Sequence, residues 1–183
     1  MKKWLTILGV GILASCSCED EAAAEYDMMT RYGGWEARKD EIKADVDQVR
    51  NSMVDLIRYD FDSIDYTVFQ SPNPYWEQIQ VYLDENKGIR AARLLPQQGH
   101  EQLREEFFYS DGHLEYAKAS NMRIDPDTTL REFFFIENKL VHCYNHKGDK
   151  LALDDTSVKL ASVDLMNEAN QIKTIISQKE IEL

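Results

Sequence analysis

Residues 81–94 read VYLDENKGIRAARL, residues 107–119 read FFYSDGHLEYAKA and residues 133–145 read FFFIENKLVHCYN. In these stretches Glu85-Asn86, Asp111-Gly112 and Glu137-Asn138 recur at intervals of 26 residues. An aromatic or aliphatic run precedes each pair and an alternating segment follows it. Asp, Asn and Gly tolerate the positive φ that two-residue hairpin turns require, so each copy predicts strand, tight turn, strand. Gly88 adds one residue after the first turn and predicts a bulge. A further Gly turn, HKGDK at 146–150, joins Tyr144 to Leu151. Three consecutive hairpins make an antiparallel meander, and YDFDSIDYTVFQ at 59–70 predicts an edge strand before Pro72.

The strands are apolar on both sides. Phe133 and Phe135 point one way, while Leu130, Phe134 and Ile136 point the other. A sheet with one wet face alternates more cleanly, so either both faces are covered or the sheet curls towards a barrel. Helical patterns flank the β region. In Trp35–Ile57 the apolar positions Ile42, Val46, Val49, Met53 and Leu56 step by four, three, four and three, which is one stripe of a helix ending near Arg58. Leu165, Ala169, Ile172 and Ile176 repeat the pattern, with Ser162 as the expected N-cap and a strand over 157–163 as the alternative. The expected fold class is α+β: a curved antiparallel β-meander of repeated hairpins with an N-terminal and a C-terminal helix against it. This domain covers residues 35–183, behind a hinge at Gly33-Gly34.

The N-terminus carries a different message. Lys2 and Lys3 precede a short apolar run from Trp4 to Ala14, the n-region and h-region of a secretory signal peptide. Leu13-Ala14-Ser15-Cys16 resembles the lipobox of bacterial lipoproteins. The resemblance implies a signal peptide over 1–15, cleavage before Cys16, and acyl chains on its sulfur and new amino terminus. Several acyl chains anchor far more firmly than one. Ser17 stands where an inner-membrane retention signal has aspartate, so the implied location is the outer membrane. Residues 16–34 form an acidic spacer, in which Glu19, Asp20 and Glu21 read either as a surface-export signal or as a solvated tail. The hairpin repeat also resembles that of small envelope lipoproteins of unassigned function.

Loss of residues 1–15 with their two lysines takes the formal charge from −12 to −14. Such acidity argues against a nucleic-acid partner, whose phosphates need Lys and Arg, and suits a basic partner or a cation. Of the three cysteines, Cys16 is assigned to lipid. Cys18 and Cys143 do not make a disulfide framework, and Cys143 is expected to be a small buried hydrophobe.

Candidate chemistry is sparse. His142, Cys143 and His146 lie on a predicted strand, where i and i+4 are about 13 Å apart and do not share one ion. Asp60, Asp62 and Asp65 lack the spacing and glycine of a calcium loop. Glu105, Glu106 and Glu132 sit on neighbouring strands, and a glycosidase needs two such carboxylates at a set separation. No metal site, cofactor or catalytic residue is assigned. Phe69, Tyr75 and Trp76 flank a loop stiffened by Pro72 and Pro74, a candidate platform for a protein or glycan partner; the alternative is that they are core. The expected function is a lipid-anchored binding or interaction module of the cell envelope. An acidic inhibitor or immunity-type protein that meets a basic target is the first alternative, and a hydrolase using strand carboxylates the second.

Overall fold

The computed structural model describes residues 31, 33–62, 69, 75–120 and 130–181. The signal peptide, Cys16, Cys18 and the acidic run lie outside them, as do Asp65, Pro72 and Pro74. The chain divides between Glu41 and Ile42 into two compact units, so the first helix begins in one and continues in the other.

Helix α1, Trp35–Ser52, starts directly after Gly33 and Gly34, whose φ values of 73° and 107° only glycine adopts without strain. In the first unit it carries the pairs Arg38–Glu41 at 2.9 Å and Glu36–Lys39, with Arg38 itself largely buried. Beyond Glu41 the stripe is buried as its period demands: Ile42, Val46, Val49 and Met53 all lie inside. The helix stops at Ser52, short of the end expected near Arg58. Ser52 Oγ donates to the Gln48 carbonyl at 3.0 Å, competing with the helix ladder at its end. A 3₁₀ turn, Met53–Asp55, follows, and Leu56 is already extended.

Seven strands then run in order across one open antiparallel sheet: β1 Ile57–Asp62, β2 Trp76–Leu83, β3 Ile89–Pro96, β4 Glu105–Ser110, β5 His113–Ser120, β6 Leu130–Ile136 and β7 Lys139–Tyr144. The edge strand β1 pairs Ile57 with Leu83 through Asp62 with Gln78. The barrel alternative does not form, since β1 and β7 both remain edges.

The repeat does form three hairpins. Asp111 and Gly112 have φ of 47° and 75°, and Glu137 and Asn138 have 49° and 63°, the double left-handed signature of a type I′ turn. The first copy differs. Lys87 N donates to Asp84 O at 3.0 Å and Asp84 N to Gly88 O at 2.9 Å, so Glu85-Asn86 centres a type I turn and the positive φ of 65° falls on Lys87. Asp84 Oδ1 accepts from the N–H groups of Asn86 and Gly88 at 2.9 and 2.8 Å. Gly88 suits that close approach, because a Cβ there would sit 2.9 Å from Asp84 Oδ2 and push the carboxylate aside. Asn145–Asp149 copies the device, with Asn145 Oδ1 accepting from Lys147 and Asp149 and with Gly148 at φ 87°.

A second repeat lies inside the first. Register shifts fall between Tyr82 and Leu83, Phe108 and Tyr109, and Phe134 and Phe135, again 26 residues apart. Each inserts one extra residue (Arg90, Glu115 or Val141) on the returning strand. Such bulges bend a strand and strengthen its twist. They also slip the inside–outside phase by one, so that Leu114 and Ala117 share a face although three residues apart.

Both faces are covered. Helix α2, Thr156–Ile181, packs Val158, Ala161, Leu165, Ala169, Ile172 and Ile176 against one face, among Ile79, Val81, Leu94, Phe107, Phe133 and Phe135. Its cap is Asp155, whose Oδ1 accepts from Ser157 N at 2.7 Å and Val158 N at 3.3 Å. The expected start at Ser162 and the strand over 157–163 are therefore corrected. Ser162 is mid-helix and donates to the Lys159 carbonyl. The other face carries an aromatic row, in which Phe108, Tyr116 and Phe134 are successive cross-strand partners with ring centroids 5.8 and 5.2 Å apart. Beside it runs a charged row, Arg93–Glu106–Lys118–Glu132. Helix α1 lies along these rows. Lys43 bonds Glu132 at 2.6 Å, Arg50 bonds Glu106 at 3.0 Å, and Asp45 takes Arg90 at 3.0 Å. Lys43 and Arg50 also sit over the Tyr116 and Phe108 rings, 5.1 and 4.9 Å from the centroids.

Candidate functional site

The β3–β4 ladder runs from Ala91↔Phe108 to Leu94↔Glu105 and then divides. Past this point β3 stays with β2, pairing Leu95 with Gln78 and Pro96 with Trp76. The chain before β4 goes instead with β5: Arg104 N donates to Ser120 Oγ at 2.8 Å and Ser120 N to Arg104 O at 2.9 Å. Residues 97–104 arch between the two ends, turned by Gly99 at φ 90° and tied by Leu103 N to His100 O at 2.9 Å. Pro96 has no N–H to carry the ladder further.

The split leaves an open slot of about 490 Å³. Leu94, Leu95, Pro96 and Leu103 form its apolar wall, and Arg93, Glu101, Arg104, Glu105 and Glu106 supply charge. That volume falls within the range of small-molecule sites, roughly 300–1,000 Å³. Glu106 is neutralised from both sides, by Arg93 Nε at 3.1 Å and Arg50 Nη2 at 3.0 Å. Arg104 is exposed at the mouth.

Glu105 is among the residues that line the slot, in the last paired position of the ladder, and is 3 % exposed. It faces α2, where Glu168 is 1 % exposed. Burial, then the charge and hydrogen bond of Glu168, push the Glu105 carboxyl well above the usual carboxylate range, and Asp164 adds to the push. Two carboxylates in contact cannot both ionise, so the pair holds a proton. Glu105 Oε2 has no hydrogen-bond partner among the described residues.

The three carboxylates singled out in the sequence do not converge. Glu105 is on the α2 face, whereas Glu106 and Glu132 are on the α1 face, both bound by cations. Burial alone would raise Glu132, but hydrogen bonds from Lys43 and from the Tyr116 hydroxyl at 2.9 Å outweigh it and hold the carboxyl low. The partner that Glu105 does have, Glu168, lay hidden in the helical stripe: it is three residues after Leu165 and four before Ile172, an acid on the apolar side.

The aromatic platform is also corrected. Trp76 is 0 % and Phe69 1 % exposed, and both belong to the core cluster under α2. Trp76 is the first residue of β2 and its side chain follows the sheet's inward phase. Tyr75 is half-buried and stacks on His100, centroids 3.9 Å apart. Residues 70–74 of that loop lie outside the described residues.

His142 is half-buried on β7 beside Tyr144, Cys143 is buried between it and the turn, and His146 is exposed in the turn. Asp60 is on β1 and bonds Arg58 at 2.9 Å, not in a bent loop. Among the described residues no helix is long and apolar enough to cross a membrane. Exposed acids among the described residues of the second unit are dispersed along the chain: Asp47 and Asp55 before β1, Glu77 on β2, Glu85, Asp111 and Glu137 in turns, Glu101 in the 97–104 arch, and Asp149, Asp154 and Asp155 before α2. Comparison with protein-family models, curated proteins and solved structures found no match to this chain.

Proposed function

We propose that this is a lipid-anchored cell-envelope protein whose folded domain is a binding module, and that it binds through the β3–β4 slot. The anchor rests on the resemblance of Leu13-Ala14-Ser15-Cys16 to a lipobox, and the outer membrane on Ser17 standing where a retention signal has aspartate. The observation that carries binding is the slot itself: a sheet ladder that opens into a cleft of about 490 Å³, with an apolar wall and charged residues around it. Dispersal of the exposed acids speaks for solubility rather than for one acidic face that clamps a basic protein. The separation of Glu105 from Glu106 and Glu132 onto opposite faces speaks against a two-carboxylate glycosidase among those three.

Two measurements test this. Metabolic labelling with a fatty-acid analogue should mark the wild type and not Cys16→Ala; equal label on both removes the anchor. For the slot, Leu95→Trp fills the apolar wall with little change to the core. Native mass spectrometry of the full chain, purified in detergent from its envelope, should show a small-molecule passenger that Leu95→Trp loses. Equal occupancy in the two proteins, or none in either, refutes the slot as the binding site.

A further inference from the structure

We infer that the slot takes a monocarboxylate on an aliphatic arm, held at its charged end by the Arg104 guanidinium. This rests on the reading of the slot as the binding site and names its ligand class. The chain has 33 acidic side chains against 21 lysines and arginines, so a cation finds an acid with ease. Arg38, Arg50, Arg58, Arg90 and Arg93 are in ion pairs, and Arg31 and Arg131 also have partners. Among the described residues Arg104 is the one arginine whose guanidinium has none, and it lines the slot while remaining exposed. Its main chain is fixed from the far side, since its N–H and its carbonyl are both bonded to Ser120 of β5.

Alternation along the strands sets where this charge lies. Leu103 and Glu105 turn to the α2 face, so Arg104 between them turns to the other. Across the split Leu94 belongs to the α2 core, and Leu95 beside it shares the Arg104 face. The acids that line the slot are already served or out of reach. Glu106 is held by Arg50 at 3.0 Å and Arg93 at 3.1 Å, Glu101 Oε1 accepts from Gly99 N at 2.8 Å, and Glu105 is buried on the α2 side. The guanidinium is what the slot has left to offer a charged group. Its planar fork of N–H donors matches the two oxygens of a carboxylate, and its single charge matches a monoanion. A phosphate monoester carries nearly two charges and wants a second uncommitted cation, but Arg93 is taken by Glu106. Leu95 and Pro96 are half-buried on the same lining, so methylene groups that lie along them cover apolar surface still open to water.

Calorimetric titration of the detergent-purified full chain tests this with hexanoate, n-hexylamine and hexyl phosphate, which share one chain length. Hexanoate should bind, hexylamine should not, and hexyl phosphate should bind no more tightly than hexanoate. Arg104→Gln alters an exposed side chain without partners, so the fold should survive it. It should weaken hexanoate at least about tenfold, in line with loss of charge-assisted hydrogen bonds. Leu95→Trp should abolish hexanoate binding. Hexanoate binding that survives Arg104→Gln unchanged overturns the inference. Hexylamine binding that Leu95→Trp removes, or tighter binding of hexyl phosphate than of hexanoate, also overturns it while leaving the slot in place. If no probe binds but a passenger is lost in Leu95→Trp, the ligand class is wrong and the slot stands. If neither probe nor passenger is seen, both fall.

Discussion

Glu168→Gln should stabilise this protein, and the gain should grow as the pH rises. Glutamine matches glutamate in volume and removes one of two buried acids in contact beneath α2, so packing is left aside and only the charge changes. In the unfolded chain both glutamates titrate near the ordinary value of about 4.3. In the folded chain burial, and then Glu168, hold the Glu105 carboxyl well above that. The folded protein therefore keeps a proton that the unfolded chain has already released. Stability from this source is fully present below the unfolded value and is lost as the pH climbs through the folded one. The slope within that window is about 1.4 kcal/mol per pH unit for each proton of difference. Carboxyls held low, such as Glu132 and Asp155, act in the opposite direction but below their ordinary values, so they leave the range above pH 5 undisturbed. Urea denaturation of the full chain at pH 5, 6, 7 and 8 measures the effect; the difference between wild type and variant cancels every shared group except Glu105, which burial still holds high in the variant but less so than with Glu168 beside it. The two should nearly coincide at pH 5 and diverge above it. Parallel curves over the whole range, or a variant that loses ground at pH 8, would refute the idea that Glu105 and Glu168 share a proton.

Trp76→Ala should cost about 3–5 kcal/mol in chemical denaturation, because the ring is fully buried among core residues; a change within about 0.5 kcal/mol would place the ring at the surface after all. Gly112→Val should lower stability by about 1 kcal/mol or more, since a β-branched residue resists the φ of 75° found there. An unchanged urea midpoint would mean the turn has another form. Burial pushes the Cys143 thiol up to about 12 and shields it. In a Cys16→Ala/Cys18→Ala background a thiol reagent should label it only after unfolding, and rapid labelling of the native chain would contradict its position in the core.

Much of this fold was legible in local chemistry. Asp-Gly and Glu-Asn pairs at a constant interval specify hairpin turns because so few residues accept a positive φ, and turns of two or three residues leave neighbouring strands no choice but to pair. A stripe at Ile42, Val46, Val49 and Met53 specifies a helix because only a period near 3.6 gathers those positions. The start of α2 was misplaced, though its signal was local: Asp155 caps more strongly than Ser162, as its carboxylate faces two N–H groups at the helix's positive end. The first hairpin shows the limit of the same reasoning, since Glu85-Asn86 is a turn as expected but the left-handed residue is Lys87, displaced by the Asp84 side chain.

Other features belong to the tertiary structure alone. Periodicity says that a strand has two apolar faces, but not which helix covers which. That was decided by the charged row on one face, where Glu106 and Glu132 found Arg50 and Lys43 across long sequence separations. Trp76 follows the phase of its strand into the core, and the phase is reset by bulges that depend on neighbouring strands. The slot exists because β3 and β4 stop pairing at Leu94↔Glu105, a matter of which partner each end prefers. The Glu105–Glu168 pair depends on α2 crossing the sheet at that point. Local preference acts between residues a few positions apart, whereas 63 positions separate these two carboxyls, and only the packed helix brings them into contact.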